Sequence, residues 1–252
     1  MAKVLVTGGM GLLGSRLVPV LSARFHDVRV LSRHASPERV PSNVQAVVGD
    51  VRINEGLNEA VAGVDAVVHA ATSPRRRATA TEVEGTRHML EAATRAGVPN
   101  FVYISIVGVG RHRFPYYQAK WAAEQLVEAA PGGWTIQRET QFHDLLDMFL
   151  GFPLFPSTHR MAFQPIDAGE VSERLAELIE RGPSGRVTDL GGPEVLTVRQ
   201  LCDARYDITS RRTRLLPVPR LGFLRDFDEG LQLAPDHKFG RITWSEWLSR
   251  RT

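Results

Sequence analysis

The stretch VLVTGGMGLLGSRLV, Val4–Val18, carries four glycines in seven residues: Gly8, Gly9, Gly11 and Gly14. Gly9, Gly11 and Gly14 spell G-x-G-x-x-G, while Gly8, Gly11 and Gly14 spell G-x-x-G-x-x-G. The apolar run Lys3–Thr7 before them reads as a strand, and Leu12–Arg24 after them reads as a helix. Strand, glycine loop and helix in that order are the context a dinucleotide fingerprint requires. The glycines permit a tight turn and let the backbone approach a pyrophosphate. The helix N-terminus adds unpaired N–H groups and a favourable dipole. Thr7, Gly8, Gly9, Met10, Gly11, Leu12, Leu13 and Gly14 are therefore expected to line a dinucleotide.

The pattern continues outward. Strands are expected at Val28–Ser32, Val44–Val48, Ala66–Ala70, Phe101–Ser105 and Trp134–Arg138. Helices are expected at Asn54–Val61, Glu82–Ala96 and Tyr116–Ala130. Short apolar strands alternating with helices predict βαβ units and a parallel sheet covered on both faces. Right-handed crossovers make it α/β, a doubly wound, Rossmann-like sheet. Pro19 breaks a local rule inside the first helix and is expected to bend it near Ser15. After residue 141 the pieces are shorter: a strand at Met161–Pro165, a helix capped by Asp167 and running to Arg181, and a strand at Val187–Leu190. Capping boxes at Thr197–Gln200 and Thr243–Glu246 each open a further helix. The expectation is one domain, with a nucleotide-binding core over about residues 1–140 and a small substrate-binding cap over about 141–252.

Composition excludes several classes. The 252 residues carry a net charge of +3, with only Lys3, Lys120 and Lys238 as lysines, so the basic balance comes from arginine. Short clusters at Arg75–Arg77 and Arg211–Arg212 are read as surface charge, and no basic stripe with interleaved aromatics points to nucleic acid. No apolar run is long enough for a membrane span, and the N-terminus lacks a secretory pattern, so a cytoplasmic setting with no membrane partner is expected. Cys202 stands alone and is expected to pack rather than react. The histidines are dispersed with no H-x-x-x-H spacing, which argues against a metal site, and no G-x-S-x-G elbow suggests a hydrolase.

The cofactor type is read at the strand tips. A carboxylate after the second strand would hold the ribose hydroxyls of NAD. This chain has Ser32, Arg33 and His34 there, and Arg33 with Ser32 can meet a 2′-phosphate. NADP(H) is therefore expected over NAD(H). Asp50 at the third strand's end can accept from an adenine amino group with Val51 against the ring, or can cap a helix. Ala70, Ala71 and Thr72 after the fourth strand are small enough for a dinucleotide to lie close.

Tyr116 and Lys120 carry the sharpest chemical signal. Four residues apart at a helix start, they share a face. An ammonium near a phenol, with a positive nicotinamide above, lowers the phenol pKa and fits it for proton transfer to a carbonyl or from an alcohol. Tyr117 has the wrong spacing to Lys120. Phe149, Phe152 and Phe155 either line an apolar substrate pocket or anchor their loop.

On Thr7–Gly14, Gly49-Asp50, His69–Ala71, Glu84-Gly-Thr86, Ser105, Tyr116 and Lys120, the chain resembles an atypical, extended-like short-chain dehydrogenase/reductase, close to the NmrA-like NAD(P)-binding proteins. The resemblance covers residues 1–140 well and the remainder loosely. It implies the Gly8, Gly11, Gly14 register, because the family's first glycine follows a threonine, with Gly9 as an extra turn residue. It implies that Thr140, Gln141 and Phe142 pass near the nicotinamide and that Ser105 is the strand-end serine beside the catalytic pair. The chain departs from the family at two places. Val107 stands where a catalytic Ser or Thr is usual, and Glu82 where an Asn is usual; His143 and Gln141 are the candidates to substitute. Two functions follow as expectations. One is an NADP-dependent oxidoreductase acting on a small apolar carbonyl or alcohol, as monomer or homodimer. The other is a non-catalytic NADP-binding sensor.

Overall fold

The computed structural model describes every residue except 35, 37, 39, 74–78 and 252, so the Arg75–Arg77 cluster lies outside the described residues. The elements in chain order are β1 (Lys3–Thr7), α1 (Gly14–Ala23), β2 (Asp27–Ser32), β3 (Val44–Val48), α2 (Leu57–Val61), β4 (Ala66–His69), α3 (Gly85–Arg95), β5 (Asn100–Ile106), α4 (Pro115–Ala129) and β6 (Trp134–Glu139). They continue with α5 (His143–Leu150), β7 (Leu154–Ser157), β8 (Ala162–Phe163), α6 (Ala168–Arg181), β9 (Gly185–Arg186), β10 (Leu196–Thr197), α7 (Val198–Thr209), β11 (Arg214–Pro217), α8 (Phe223–Asp228) and α9 (Trp244–Ser249).

The chain divides into two compact units. The first comprises residues 1–105, 118–137 and 172–187; the second comprises 106–117, 138–171 and 188–252. The chain thus passes between them several times, whereas a single boundary near residue 140 is the simpler expectation from sequence.

The first unit is built on a seven-stranded sheet of order β3-β2-β1-β4-β5-β6-β9. The order reverses between β1 and β4, both of which pair in parallel with their neighbours. That reversal is the switch point at which doubly wound sheets bind ligands, outside the carboxyl ends of the strands. The sheet follows from its sequence: Val4, Leu5, Val6, Val67 and Val68 are all buried, as strands covered on both faces must be. One core joins Leu5, Leu31, Val47, Val67 and Tyr103 to Leu57, Met89 and Val127 of the covering helices. Helix α1 continues through Pro19, so the Ser15 carbonyl has no N–H to accept there.

Three local expectations are corrected. The helix at Asn54–Val61 is a single 3₁₀ turn at Val51–Ile53 followed by α2, because Asn54 and Gly56 adopt left-handed backbone that no helix continues through. The helix at Glu82–Ala96 opens with a widened π turn at Ala80–Glu84. The strand at Val187–Leu190 is displaced: β9 pairs Gly185 and Arg186 with Thr135 and Ile136, and Leu190 makes only an isolated bridge to Glu139.

In the second unit, Leu146, Leu150, Met161, Phe163, Leu201, Trp244 and Trp247 form a separate core. Both expected capping boxes are present, Thr197 with Gln200 and Thr243 with Glu246. The strand at Met161–Pro165 shortens to β8, paired antiparallel with β10. Cys202 is buried in α7, and burial pushes its thiol up to about 11, so it packs as expected. Phe155 packs partly on this core, while Phe152 is exposed.

Candidate nucleotide and catalytic site

The glycine loop leaves the C-terminal end of β1, at the switch point. Gly8 has φ of +65°, which an L side chain rarely adopts, and a Cβ there would sit 2.9 Å from Ala71 Cα. A Cβ on Gly14 would sit 2.4 Å from the Gly8 oxygen. The register on Gly8 and Gly14 is thus enforced by the backbone. Gly11 is exposed and merely tight, with a Cβ 3.1 Å from the Gly8 oxygen. Gly9 is more than an extra turn residue: a Cβ there would meet the Val30 side chain of β2 at 2.7 Å. At the start of α1 the N-cap, Leu13, makes no side-chain capping bond, and Gly11 and Leu12 are exposed on the loop crest. The Ser15 and Arg16 N–H groups turn back to the Gly11 and Leu13 oxygens, and the first turn of α1 holds no carboxylate to oppose an anion at the loop crest. The loop fits a dinucleotide pyrophosphate.

A buried relay that sequence reading missed holds this loop against β4. The Thr7 hydroxyl accepts from the Ala71 N–H at 3.2 Å and lies 2.8 Å from His69 Nδ1. His69 Nε2 lies 3.1 Å from the Thr86 hydroxyl. Burial, with Lys120 nearby, pushes the His69 pKa down to about 3, so the ring is neutral. The neutral ring accepts from one of the two threonine hydroxyls and donates to the other. Thr7, His69 and Thr86 thereby align the ends of β1 and β4 and the first turn of α3, with Ala70 and Ala71 beside Gly8.

At the tip of β2, Ser32 is half-buried and Arg33 and His34 are exposed. The Asp50 carboxylate caps the 3₁₀ turn through the Arg52 N–H at 2.9 Å and pairs with the Arg52 guanidinium, Nη2 to Oδ2 being 2.5 Å. That hydrogen-bonded pair, helped by the charge of Arg33, holds the Asp50 carboxyl below its usual range. Asp50 thus caps the 3₁₀ turn, one of the two readings of this residue, with Arg52 on both its oxygens. Val51 is buried in the core behind it.

Tyr116 and Lys120 both stand on α4. Lys120 is buried; its ammonium donates to the Ile104 oxygen at 2.7 Å and pairs with Glu82 at 3.1 Å, with the Tyr103 ring 4.8 Å away. Glu82 is also fully buried. It accepts from the Thr72 hydroxyl at 2.6 Å and the Ser73 N–H at 2.9 Å. The residue that replaces the family's Asn is thus a carboxylate that holds the lysine and the loop after β4 together, and the widened turn at Ala80–Glu84 carries it there. Breaking a buried pair from one side leaves an uncompensated charge, whereas removing both partners does not. Glu82→Leu is expected to cost about 3–5 kcal/mol of stability, and Glu82→Leu with Lys120→Met to restore most of it. Urea unfolding of the two variants checks this; equal losses would show that the pair is not the source.

Tyr116 is half-buried, whereas Tyr117 is buried and burial pushes its phenol well above the usual range despite a hydrogen bond with Gln141. Tyr117 is thereby kept protonated. Ser105 is fully buried at the end of β5, and its hydroxyl has no partner among the described residues. Val107 is buried too, its N–H donating to the Glu139 oxygen, so no hydroxyl stands at that position.

The segment after β6 is spent within the second unit. The Thr140 hydroxyl donates to the Gln164 oxygen at 2.5 Å and accepts from the Gly192 N–H. The Gln141 amide donates to the Gln232 oxygen. Phe142 is half-buried at the N-cap of α5. His143 is stacked against Trp244 and Trp247, ring centroids 5.9 and 5.4 Å away, and burial lowers its pKa to about 4. The Gln141 amide is therefore already engaged on both its ends, and the His143 ring is held in the stack with the two tryptophans. In the same unit Asp226 accepts from the Arg113 backbone at 2.7 Å and its guanidinium at 2.5 Å, which keeps its carboxyl ionised. His112 lies 3.8 Å from Asp226, but its Nδ1 accepts from the Phe114 N–H, and burial lowers its pKa to about 4.

Among the described residues no group of His, Cys, Asp and Glu is placed to hold a metal, and no helix is long and apolar enough to cross a membrane.

These features match known proteins. A curated 3-beta-hydroxysteroid dehydrogenase from Mycolicibacterium neoaurum is 37% identical over 115 residues, covering 41% of this chain and 31% of that protein. The chain spans about a third of the length of the first curated relatives it matches. A 4-hydroxy-2-methyl-3-oxo-4-farnesyl-3,4-dihydroquinoline-1-oxide ketoreductase from Stigmatella aurantiaca is 32% identical, over 73% of this chain and 66% of its own length. The fold is shared with the NADPH-dependent quinone oxidoreductase of Escherichia coli solved with NADPH, at a TM-score of 0.78 and 15% identity over 98% of this chain and 99% of that one. The family model described as NAD(P)H-binding matches residues 8–145, more than half the chain, and the chain belongs to that family, with the fold of an atypical, extended-like short-chain dehydrogenase/reductase.

Proposed function

We propose that the chain is an NADP-dependent oxidoreductase that moves hydride between NADPH and an apolar carbonyl or alcohol. The observation that carries this reading is Lys120, fixed by Ile104 and Glu82 on the helix that presents Tyr116 one turn earlier, while the neighbouring Tyr117 is buried and kept protonated. When bound, the nicotinamide supplies or accepts the hydride. Tyr116 gives the proton to the forming alkoxide, or takes it in the reverse direction. Lys120 holds the ribose hydroxyls and raises the acidity of the phenol. The glycine loop and the first turn of α1 hold the pyrophosphate. Ser105 adds a buried hydroxyl at the tip of β5. The relatives' names, which include a steroid and a farnesylated quinoline, support an apolar substrate.

Arg33 and Ser32, with no carboxylate at positions 32–34, favour NADP. Arg33→Glu is expected to lower the ratio of NADP to NAD affinity by at least about tenfold, the loss of one charge-assisted phosphate contact of roughly 1.4 kcal/mol. Titrating both cofactors into both proteins checks it, and equal affinities in the unaltered protein would remove Arg33 from the site.

A second reading, a non-catalytic NADP-binding sensor, draws on Glu82. Its carboxylate offsets the charge of Lys120, and Val107 supplies no hydroxyl, so both usual aids to the tyrosine are weakened. Tight NADPH binding with no turnover of any carbonyl would favour that reading.

A further inference from the structure

The second unit carries an apolar face that its own core does not use. β7 and β11 pair in parallel, with Leu154 beside Arg214 and Leu216 beside Pro156. On the inner side Phe155 and Leu215 pack against the core of this unit. The outward positions of a small surface sheet are ordinarily polar. Here they are Leu154, Pro156, Arg214 and Leu216, with Phe152 just before β7 and Leu221 in the turn after β11. Leu221 is 72% exposed, Leu154 58%, and Phe152 and Leu216 51% each. A strand pair with leucine on both faces loses free energy in water unless something covers the outer one.

The charge around this face indicates what covers it. From Ser210 to Leu224 the sequence holds Arg211, Arg212, Arg214 and Arg220 and no carboxylate. All four are exposed, and His159 and Arg160 stand exposed after β7. Arg212 stacks over Tyr206, and Arg220 pairs with the buried carboxylate of Asp228; Asp203 and Asp207 on α7 and Glu229 after α8 are exposed acids of this unit. A second copy meeting this face about a two-fold axis would set arginine against arginine. A nucleic acid would want several stacking aromatics, and of the four apolar side chains of this face only Phe152 is one. Exposed leucine and phenylalanine edged by guanidinium groups instead match the boundary between acyl chains and anionic headgroups.

We propose that the β7–β11 face rests on an anionic phospholipid surface, with Phe152, Leu154, Leu216 and Leu221 entering the interface and Arg211, Arg212 and Arg214 pairing with lipid phosphates. Contact is peripheral. It revises the expectation of no membrane partner for this surface alone, and it stands independently of the reaction proposed above.

Flotation of the purified chain with phosphatidylcholine vesicles, with and without phosphatidylglycerol, tests it. Partitioning onto the anionic vesicles is expected to exceed that onto the neutral ones by about tenfold or more, and to fall as salt screens the contact. Arg211→Glu with Arg212→Glu is expected to reduce it about tenfold or more. Leu216→Ser with Leu221→Ser is expected to reduce it comparably, with near-UV circular dichroism and the thermal midpoint unchanged because those side chains are exposed. Equal binding to both vesicles, or no binding, overturns the proposal. So does a leucine variant that binds like the unaltered chain, which would leave only electrostatic adsorption. A concentration-dependent dimer abolished by the leucine changes would assign the face to a second copy and overturn it as well.

Discussion

Lowering the pH from 7 to 5 is expected to remove about 5 kcal/mol of stability, a large part of the 5–15 kcal/mol that holds a typical domain together. The cause is three buried neutral histidines. The pKa of His69 is lowered to about 3, and those of His112 and His143 to about 4, in each case chiefly by burial. The unfolded chain binds a proton at each site near its ordinary value of about 6.5, and the folded chain does not. A depressed folded pKa means that the stability is present above the unfolded value and is lost as pH falls toward the folded one. Three protons at roughly 1.4 kcal/mol per pH unit each give a slope of about 4 kcal/mol per unit between pH 6 and pH 4.5. Asp50 and Asp226, whose carboxyls are also held low, extend the loss further into acid. Urea midpoints across this range measure it. His143→Phe, which keeps the ring stack with Trp244 and Trp247, is expected to remove about a third of the slope. A midpoint that does not move with pH would mean the rings are not neutral and enclosed.

Tyr116→Phe is expected to lower turnover by about 10²–10⁴-fold, the usual share of a positioned proton donor, while leaving NADPH affinity nearly unchanged. In the proposed reaction the phenol touches the reacting oxygen, and the dinucleotide is held by the glycine loop and Lys120. Tyr117→Phe is the control. Its buried hydroxyl bonds to Gln141, so its loss should change stability slightly and turnover little. If the two variants exchanged these outcomes, the assignment of the proton donor would be reversed. A Tyr116→Phe protein of normal rate would remove the phenol from the reaction.

The sheet was readable because its signals are local. Strands buried on both faces leave continuous apolar runs, and the glycine loop from Gly8 closes the first of them. The glycine register was readable from Thr7, although the close approach of Gly9 to Val30 needs the third dimension. Glu82 was legible only as a departure. Its partnership with Lys120 depends on a widened turn at Ala80–Glu84 that no propensity signals. His69 was legible only as part of the resemblance, since a neutral histidine between two threonines is a tertiary fact. Thr140 and Gln141 follow β6 in sequence, but the direction of their side chains is set by Gln164, Gly192 and Gln232, all distant in the chain. The strand expected at Val187–Leu190 failed for the same reason. Apolar alternation marked a segment able to pair, while the sheet edge accepted Gly185 and Arg186.

The central claim is that the Tyr116 and Lys120 helix and the glycine loop serve reduction by NADPH. Deuteride transfer from NADPH labelled at the nicotinamide C4, followed by mass spectrometry over a panel of apolar ketones, aldehydes and quinones, tests it most directly. The account predicts a deuterated alcohol formed with matching loss of NADPH. Tight NADPH binding with no label transferred to any member of the panel would contradict it.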